Sequence, residues 1–206
     1  GRIQLYARAD QLGEKYGLFV VLPVYAILAI LLVPVVRGRA EGMLQKLSLA
    51  IVGVVYFAFF LSHAGYLVNF PGGTGLVLLL ASLVACNDVA AFVTGRLLGR
   101  RKLRPDLSPG KTLEGALGGL AATMLVAWGL QPILVPWYGL THLLIVAAIV
   151  SVAGVVGDLA LSTIKRDLGI KDWSDAIPGH GGVLDRTNSL ILAAPLFFHY
   201  TRFFFL

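Results

Sequence analysis

The sequence predicts an all-α, polytopic integral membrane protein with about six transmembrane helices, and three observations predict it. Of the 206 residues, 57% are hydrophobic and only 14% charged, with a mean hydropathy of +0.82; a soluble domain carries about a quarter charged residues. The apolar residues come in long runs, and a run of roughly 18 or more crosses a ~30 Å hydrocarbon layer as a helix. The Lys and Arg residues, finally, gather in a few of the connectors between those runs.

Taken in order, the first span is Gly17 to Val36, closed by Arg37, Gly38 and Arg39. The second runs from about Leu47 to Val68. The third, Thr74 to about Leu98, is unbroken except for Asn87 and Asp88. The fourth, Leu113 to Leu134, contains Gly115, Gly118 and Gly119, small residues that let helices approach closely. The fifth is Leu140 to about Thr163, and the sixth Val183 to Leu206.

The connectors are unequal. Asn69 to Gly73 and Gln131 to Thr141 are turns without Lys or Arg. Arg37 to Lys46, Arg96 to Lys111 and Lys165 to Arg186 together hold 13 of the 17 basic residues and fall on one side of the membrane. Cytoplasmic loops accumulate Lys and Arg, so that side is expected to be cytoplasmic, in a bacterial inner membrane. Orientation also accounts for the net charge of +6, and no nucleic-acid partner is expected. Cys86 lies inside an apolar run with no second cysteine, which excludes an intrachain disulfide. The segment Gly1 to Lys15 is polar and helix-compatible, with no signal-peptide pattern. Its basic residues precede the first span against the charge pattern, which suggests missing upstream segments. No internal repeat or second domain is evident, so residues 1–206 read as a single membrane domain.

Polar residues within the spans carry the chemistry. Asp88 stands near the middle of the third span, where a carboxylate costs at least about 2.5 to 3.5 kcal/mol on insertion scales. It must face the protein interior or a water-filled cavity, for function or for a structural hydrogen bond between helices. Asp158, near the end of the fifth span, repeats the situation. Ser162 and Lys165 follow it at i+4 and i+7, so a carboxylate, a hydroxyl and an ammonium share one helix face toward the cytoplasm.

The stretch beyond is the richest in the chain: Lys165, Arg166, Lys171, Asp172, Pro178, Gly179, His180, Gly181, Gly182, Asp185, Arg186 and Asn188. Proline and glycines around His180 make a loop whose backbone can approach a ligand, just ahead of a helix N-terminus that suits an anion. Asp185 and Asn188 share a face at the start of the sixth span, and a helix-capping role for Asp185 competes with a ligand role. The connector Ser108-Pro109-Gly110-Lys111-Thr112 lacks Walker spacing, since Pro105 occupies the place of the first glycine. Gly110, Lys111 and Thr112 nonetheless open a helix in a way that suits a polyphosphate. Ser108 with Glu114 also reads as helix-start chemistry.

Asp88, Asp158 and Asp185 on separate spans, with a basic loop set, point to Mg²⁺, which prefers one or two carboxylates plus substrate phosphates. Lys and Arg then complement the phosphate oxygens. The histidines, His63, His142, His180 and His199, show no zinc-ligand spacing, and zinc is not expected.

From Ser162 to Asn188 the chain resembles the signature of the phosphatidate cytidylyltransferase (CDP-diacylglycerol synthase) family. Ser162, Lys165-Arg166, Lys171-Asp172, Ser174, Pro178, His180-Gly181-Gly182 and Asp185-Arg186 fill that pattern. Asn87-Asp88, the run from Ser108 to Gly115 and Gly157-Asp158 extend the likeness, so a catalytic core of about 87–188 is expected. The family's final Asp is Asn188 here, an oxygen ligand without charge, which bears on the substrate more than on the reaction type.

The resemblance implies transfer of CMP from CTP to phosphatidic acid, giving CDP-diacylglycerol and pyrophosphate. It implies that Asp158 and Asp185 hold Mg²⁺, with Asn188 as a further ligand and Asp88 supporting that site or a second cation such as K⁺. Lys165, Arg166, Lys171 and Arg186 would neutralise the triphosphate, and Asp172 and His180 complete the catalytic set. Ser108, Lys111, Thr112, Ser162, Gly181 and Gly182 would bind the nucleotide. Membrane lipid, and a second copy of the chain in a homodimer, are the remaining partners to test. Two other readings stay open: a CTP-dependent enzyme acting on another lipid phosphate or a lipid alcohol, and an ion-coupled transporter, in which intramembrane carboxylates also occur.

Overall fold

Long apolar runs have no water partner for their backbone in a bilayer, so they satisfy it internally as helices. The computed structural model describes residues 2–38, 41–170 and 183–205, with side chains described over 16–38, 41–170 and 187–205. Helix α1 is Arg2–Arg37; α2 (Met43–Val52), a π-helical stretch (Gly53–Phe60), α3 (Leu61–Tyr66) and a 3₁₀ turn (Leu67–Asn69) follow one another. Then come α4 (Gly73–Leu98), strands β1 (Lys102–Arg104) and β2 (Ser108–Thr112), α5 (Leu113–Leu134), α6 (Leu140–Asp167) and α7 (Val183–Phe205).

Five stretches are helices long and apolar enough to cross a membrane: Tyr16–Arg37, Met43–Asn69, Gly73–Leu98, Leu113–Leu134 and Leu140–Asp167. The sixth predicted span is α7. The chain is an integral, multi-pass membrane protein, and its regular structure among the described residues is helical apart from one short hairpin in the connector of residues 99–112. It divides into two compact units, Gly1–Phe59 and Phe60–Leu206.

In the first unit α1 contacts α2 and carries Pro23 and Pro34, which a membrane helix tolerates. Gly42, at φ 65°, takes the left-handed conformation that starts α2. Phe19 meets Phe59 with ring centroids 5.3 Å apart.

In the second unit α4, α5, α6 and α7 pack together, with α3 against α7. A tight turn at Gly72 (φ 69°) starts α4. Close approach of α4 and α5 depends on glycine. A Cβ on Gly115 would lie 2.6 Å from the Ala91 carbonyl oxygen, and one on Gly119 would lie 2.8 Å from Asn87 Oδ1. One on Gly118 would collide with Thr94, and one on Gly75 with the Leu134 carbonyl. These pairings run in opposite directions along the two helices, so α4 and α5 are antiparallel. The end of α4, the start of α5, the end of α6 and the start of α7 therefore come together.

At the other end of the bundle the Tyr138 hydroxyl lies 3.1 Å from Thr201 Oγ1, and His142 Nδ1 lies 2.8 Å from the Tyr200 hydroxyl. Burial pushes the Tyr138 phenol up to about 12, so it stays a neutral hydrogen-bonding group. Between the two ends the core is dry: Leu76, Leu79, Leu80 and Leu83 of α4 are buried, as are Leu143, Val146 and Val150 of α6 and Phe197 of α7.

The glycine contacts generate a paired test. Gly115→Ala and Gly119→Ala force α5 off α4 and are expected to destabilise the protein by about 1–3 kcal/mol. Gly129, on the same helix, has nothing within 4 Å of a built Cβ, so Gly129→Ala is expected to be neutral or slightly stabilising. Thermal unfolding in detergent distinguishes them; equal effects at all three positions would contradict the close-approach account.

Candidate active site

Local chemistry fixes the hairpin that roofs the site. Strands β1 and β2 pair antiparallel, with an irregularity in register between Lys102 and Arg104. The Glu114 carboxylate accepts the backbone N–H of Arg100 at 3.0 Å and of Arg101 at 3.1 Å, and the Leu113 N–H donates to the Arg101 carbonyl at 2.8 Å. Thr112 is the N-cap of α5, its hydroxyl accepting from the Gly115 N–H at 3.1 Å. The Ser108–Thr112 run is thus a strand that ends in a helix cap. It delivers Lys111 into the bundle, with Nζ 2.7 Å from Asp158 Oδ2.

Below the hairpin, three helices contribute one polar group each. Asp88 is on α4, Asp158 on α6 and Ser189 on α7. The Ser189 hydroxyl oxygen is 2.9 Å from Asp88 Oδ1 and 3.1 Å from Asp158 Oδ1, which holds the two carboxylate oxygens within about 6 Å of each other. A serine hydroxyl has a single hydrogen and can donate to only one of them. The Ser189 hydrogen therefore serves one of the two carboxylate oxygens at a time. Asp88 is ten residues before the end of α4, about 15 Å along a helix axis and so about half the depth of a hydrocarbon layer.

One residue earlier on α4 lies a second polar layer. Buried Asn87 accepts at Oδ1 from Ser151 Oγ of α6 at 2.6 Å. Thr123 Oγ1 of α5 is 3.4 Å from the same oxygen and gives its single hydrogen to the Gly119 carbonyl at 2.7 Å. This layer ties α4, α5 and α6 together directly beneath the acids.

A cavity of about 830 Å³ extends from Asn87, Asp88 and Asp158 up to Lys102 and Ser108 of the hairpin, within the range of ligand-binding clefts. Of the residues singled out by sequence, Asp88, Ser108, Lys111, Thr112, Asp158 and Asn188 all line it. Ser162 instead donates to the Asp158 backbone carbonyl at 2.7 Å, within its own helix. Lys165 and Arg166 are in the last turn of α6 and are not among the cavity-lining residues. Asp185 and Arg186 are in the first turn of α7, with side chains outside the described residues. Lys171, Asp172, His180, Gly181 and Gly182 lie outside the described residues altogether. Ser189, Arg96 and Lys102 line the cavity without having been foreseen. Ser189 is four residues after Asp185, and the same i+3/i+4 reasoning that paired Asp185 with Asn188 would have found it.

The donors suit a hard cation. Among the described residues no group of three His, Cys, Asp or Glu could hold a metal, but two carboxylates are joined here by an amide. Asn188 Oδ1 is buried and has no hydrogen-bond partner among the described residues. Carboxylate and amide oxygens are what Mg²⁺ takes, so Asp88, Asp158 and Asn188 are the described residues that could hold one.

The cytidylyltransferase family profile matches residues 4–204. The chain belongs to the cytidylyltransferase family. The uncharacterized protein YnbB of Escherichia coli (strain K12) is 42% identical over 195 residues, which is 92% of this chain and 64% of YnbB. Proteins named phosphatidate cytidylyltransferase from Synechocystis (strain PCC 6803) and Haemophilus influenzae (strain Rd) are 40% and 43% identical. These matches cover 64% and 65% of this chain, and 45% and 48% of the relatives. This cytidylyltransferase-family chain thus spans about half to two thirds of the length of the relatives it matches.

If Glu114 is what fastens the hairpin over the cavity, Glu114→Ala should free the Arg100 and Arg101 amides. Hydrogen exchange of the peptide spanning them is expected to accelerate in the variant, while peptides from α6 keep their protection. Unchanged exchange at Arg100 and Arg101 would show that the hairpin is held some other way.

Proposed function

We propose that the protein is a nucleotidyltransferase that moves CMP from CTP to the phosphate of phosphatidic acid, with its site facing the cytoplasm. The observation that carries the reading is the meeting of Asp88 and Asp158, from separate membrane helices, at one hydroxyl beneath a basic hairpin. Relatives named phosphatidate cytidylyltransferase, matching about two thirds of the chain at 40% and 43% identity, support the choice of nucleotide and lipid.

The chemistry asks little of the protein beyond placement and charge. A phosphate monoester has a second pKa of about 6, so the lipid phosphate is already anionic and needs no strong base. One of its oxygens bonds to the α-phosphorus of CTP. The bond from that phosphorus to the oxygen bridging to the β-phosphate breaks, and pyrophosphate leaves. Both substrates are anions, so bringing them together requires positive charge and orientation. Arg96, Lys102 and Lys111, all lining the cavity, supply the charge from the hairpin side. A divalent cation at Asp88, Asp158 and Asn188, with Asp185 on the same helix as Asn188, would neutralise triphosphate oxygens. The apolar walls at Val89 and Phe92, both exposed on α4, suit the acyl portion of a lipid at the same cavity.

The direct test offers the purified protein CTP and Mg²⁺ with phosphatidic acid, a polyprenyl phosphate and a diacylglycerol. CDP-diacylglycerol and pyrophosphate are expected from phosphatidic acid. Product from only one of the other two would move the substrate, and none from any would remove the reading. Asp158→Asn and Asp185→Asn are each expected to reduce turnover by about 100-fold or more, with far smaller changes in thermal stability. Retained turnover in both would sink the assignment of these acids.

A further inference from the structure

Asp158 already carries a cation: the Lys111 ammonium is 2.7 Å from Oδ2, while Oδ1, 3.1 Å from the Ser189 hydroxyl, shares that group's single hydrogen with Asp88. The ammonium puts positive charge where a divalent cation would sit. Neither member of the ion pair is deeply buried, with side-chain exposures of 25% for Lys111 and 28% for Asp158, so water can reach the pair and either partner can be exchanged. Lys111 also comes from a hairpin strand and not from the helical bundle, on a flexible four-carbon stem with three rotatable donors.

We propose that Lys111 is an internal counter-ion for Asp158, released only when a triphosphate enters, so that the divalent cation binds together with the nucleotide and not ahead of it. The inference rests on the reading of Asp158 as a cation ligand. An ammonium and a divalent cation repel at one carboxylate. Without a triphosphate in the cavity, Lys111 would give up Asp158 for water, and cation binding is correspondingly weak. A triphosphate changes the balance by offering the ammonium a new anionic partner a short distance away. Gly110, Ser108 and Lys102 line the same cavity beside Lys111, so the freed ammonium remains among groups that suit phosphate oxygens. Linkage makes the effect reciprocal: nucleotide strengthens cation binding by the factor by which cation strengthens nucleotide binding.

The test measures Mn²⁺ binding to the full chain in detergent by electron paramagnetic resonance, alone and with the non-transferable nucleotide α,β-methylene-CTP. The wild-type protein is expected to bind Mn²⁺ about tenfold more tightly when the nucleotide is present, the scale of a linked pair of sites. Lys111→Gln is expected to bind Mn²⁺ alone about tenfold more tightly than wild type, and to lose most of the nucleotide effect. Lys111→Arg, which keeps a cation on Asp158, is expected to stay close to wild type with Mn²⁺ alone, separating charge from any general loosening of the hairpin. Unchanged or weaker Mn²⁺ binding in Lys111→Gln, with Asp158→Asn still abolishing binding in the presence of nucleotide, overturns the counter-ion proposal and leaves the cation site standing. Mn²⁺ binding indifferent to Asp158→Asn, with and without nucleotide, removes both.

Discussion

A serine hydroxyl has one hydrogen, and Ser189 faces two carboxylates with it. That mismatch constrains everything around it. Two acidic side chains placed near the middle of a bilayer, within hydrogen-bonding reach of one oxygen, both ionise only if positive charge or water is at hand. Both are arranged: Lys111 descends from the hairpin onto Asp158, and the cavity opens from the acids toward Lys102 and Ser108. The Asn188 side-chain oxygen, buried and without a hydrogen-bond partner among the described residues, lines the same cavity and adds another oxygen donor to the two acids.

The layer beneath is built from neutral groups. At Asn87 the Oδ1 oxygen accepts the Ser151 hydroxyl at 2.6 Å, while Thr123 donates to the Gly119 carbonyl of its own helix. At Ser189 one hydroxyl faces two acidic side chains. The two layers are one residue apart on α4, and only the upper one carries ionisable groups. The lower layer fastens α4 to α5 and α6, and the glycine contacts hold α4 against α5. The upper layer can then keep two like charges close without the helices parting.

The spans were legible because the bilayer imposes a single requirement on each, an apolar run of sufficient length, and five runs meet it within a few residues of where hydropathy drew them. Gly115, Gly118 and Gly119 were legible for a related reason, since small residues on an apolar helix have little purpose but close packing. Asp88 and Asp158 stood out because each violates the apolar rule. What hydropathy could not reach lies where no periodicity exists. The segment 99–112 reads as a basic connector, and its strand pairing depends on Glu114 reaching back to Arg100 and Arg101, a contact set by tertiary geometry. Pro109-Gly110-Lys111-Thr112 resembles a phosphate loop in composition, but its lysine is aimed by a strand. Helix periodicity placed Ser162 on the face of Asp158, yet it gave no account of rotamer, and the hydroxyl turns back to its own helix.

Buried acids in membrane helices also belong to transport proteins, and the packing below Asn87 bears on that alternative. A transport path needs polar lining on both sides of the carboxylates, because an ion cannot shed its water into hydrocarbon. Above the acids Arg96, Lys111, Ser108 and Lys102 carry polar lining up to the hairpin. Beneath Asn87, Thr123 and Ser151, α4 and α6 bury Leu83, Leu80, Leu79, Leu76, Val146 and Leu143 with essentially no exposure. Tyr138 and Phe197 are buried as completely nearer the far end of the bundle. Among the described residues of the 60–206 unit, polar access to the acids is therefore one-sided. A chamber that opens toward a basic hairpin and ends on a dry floor is suited to holding anions for reaction, not to passing them through.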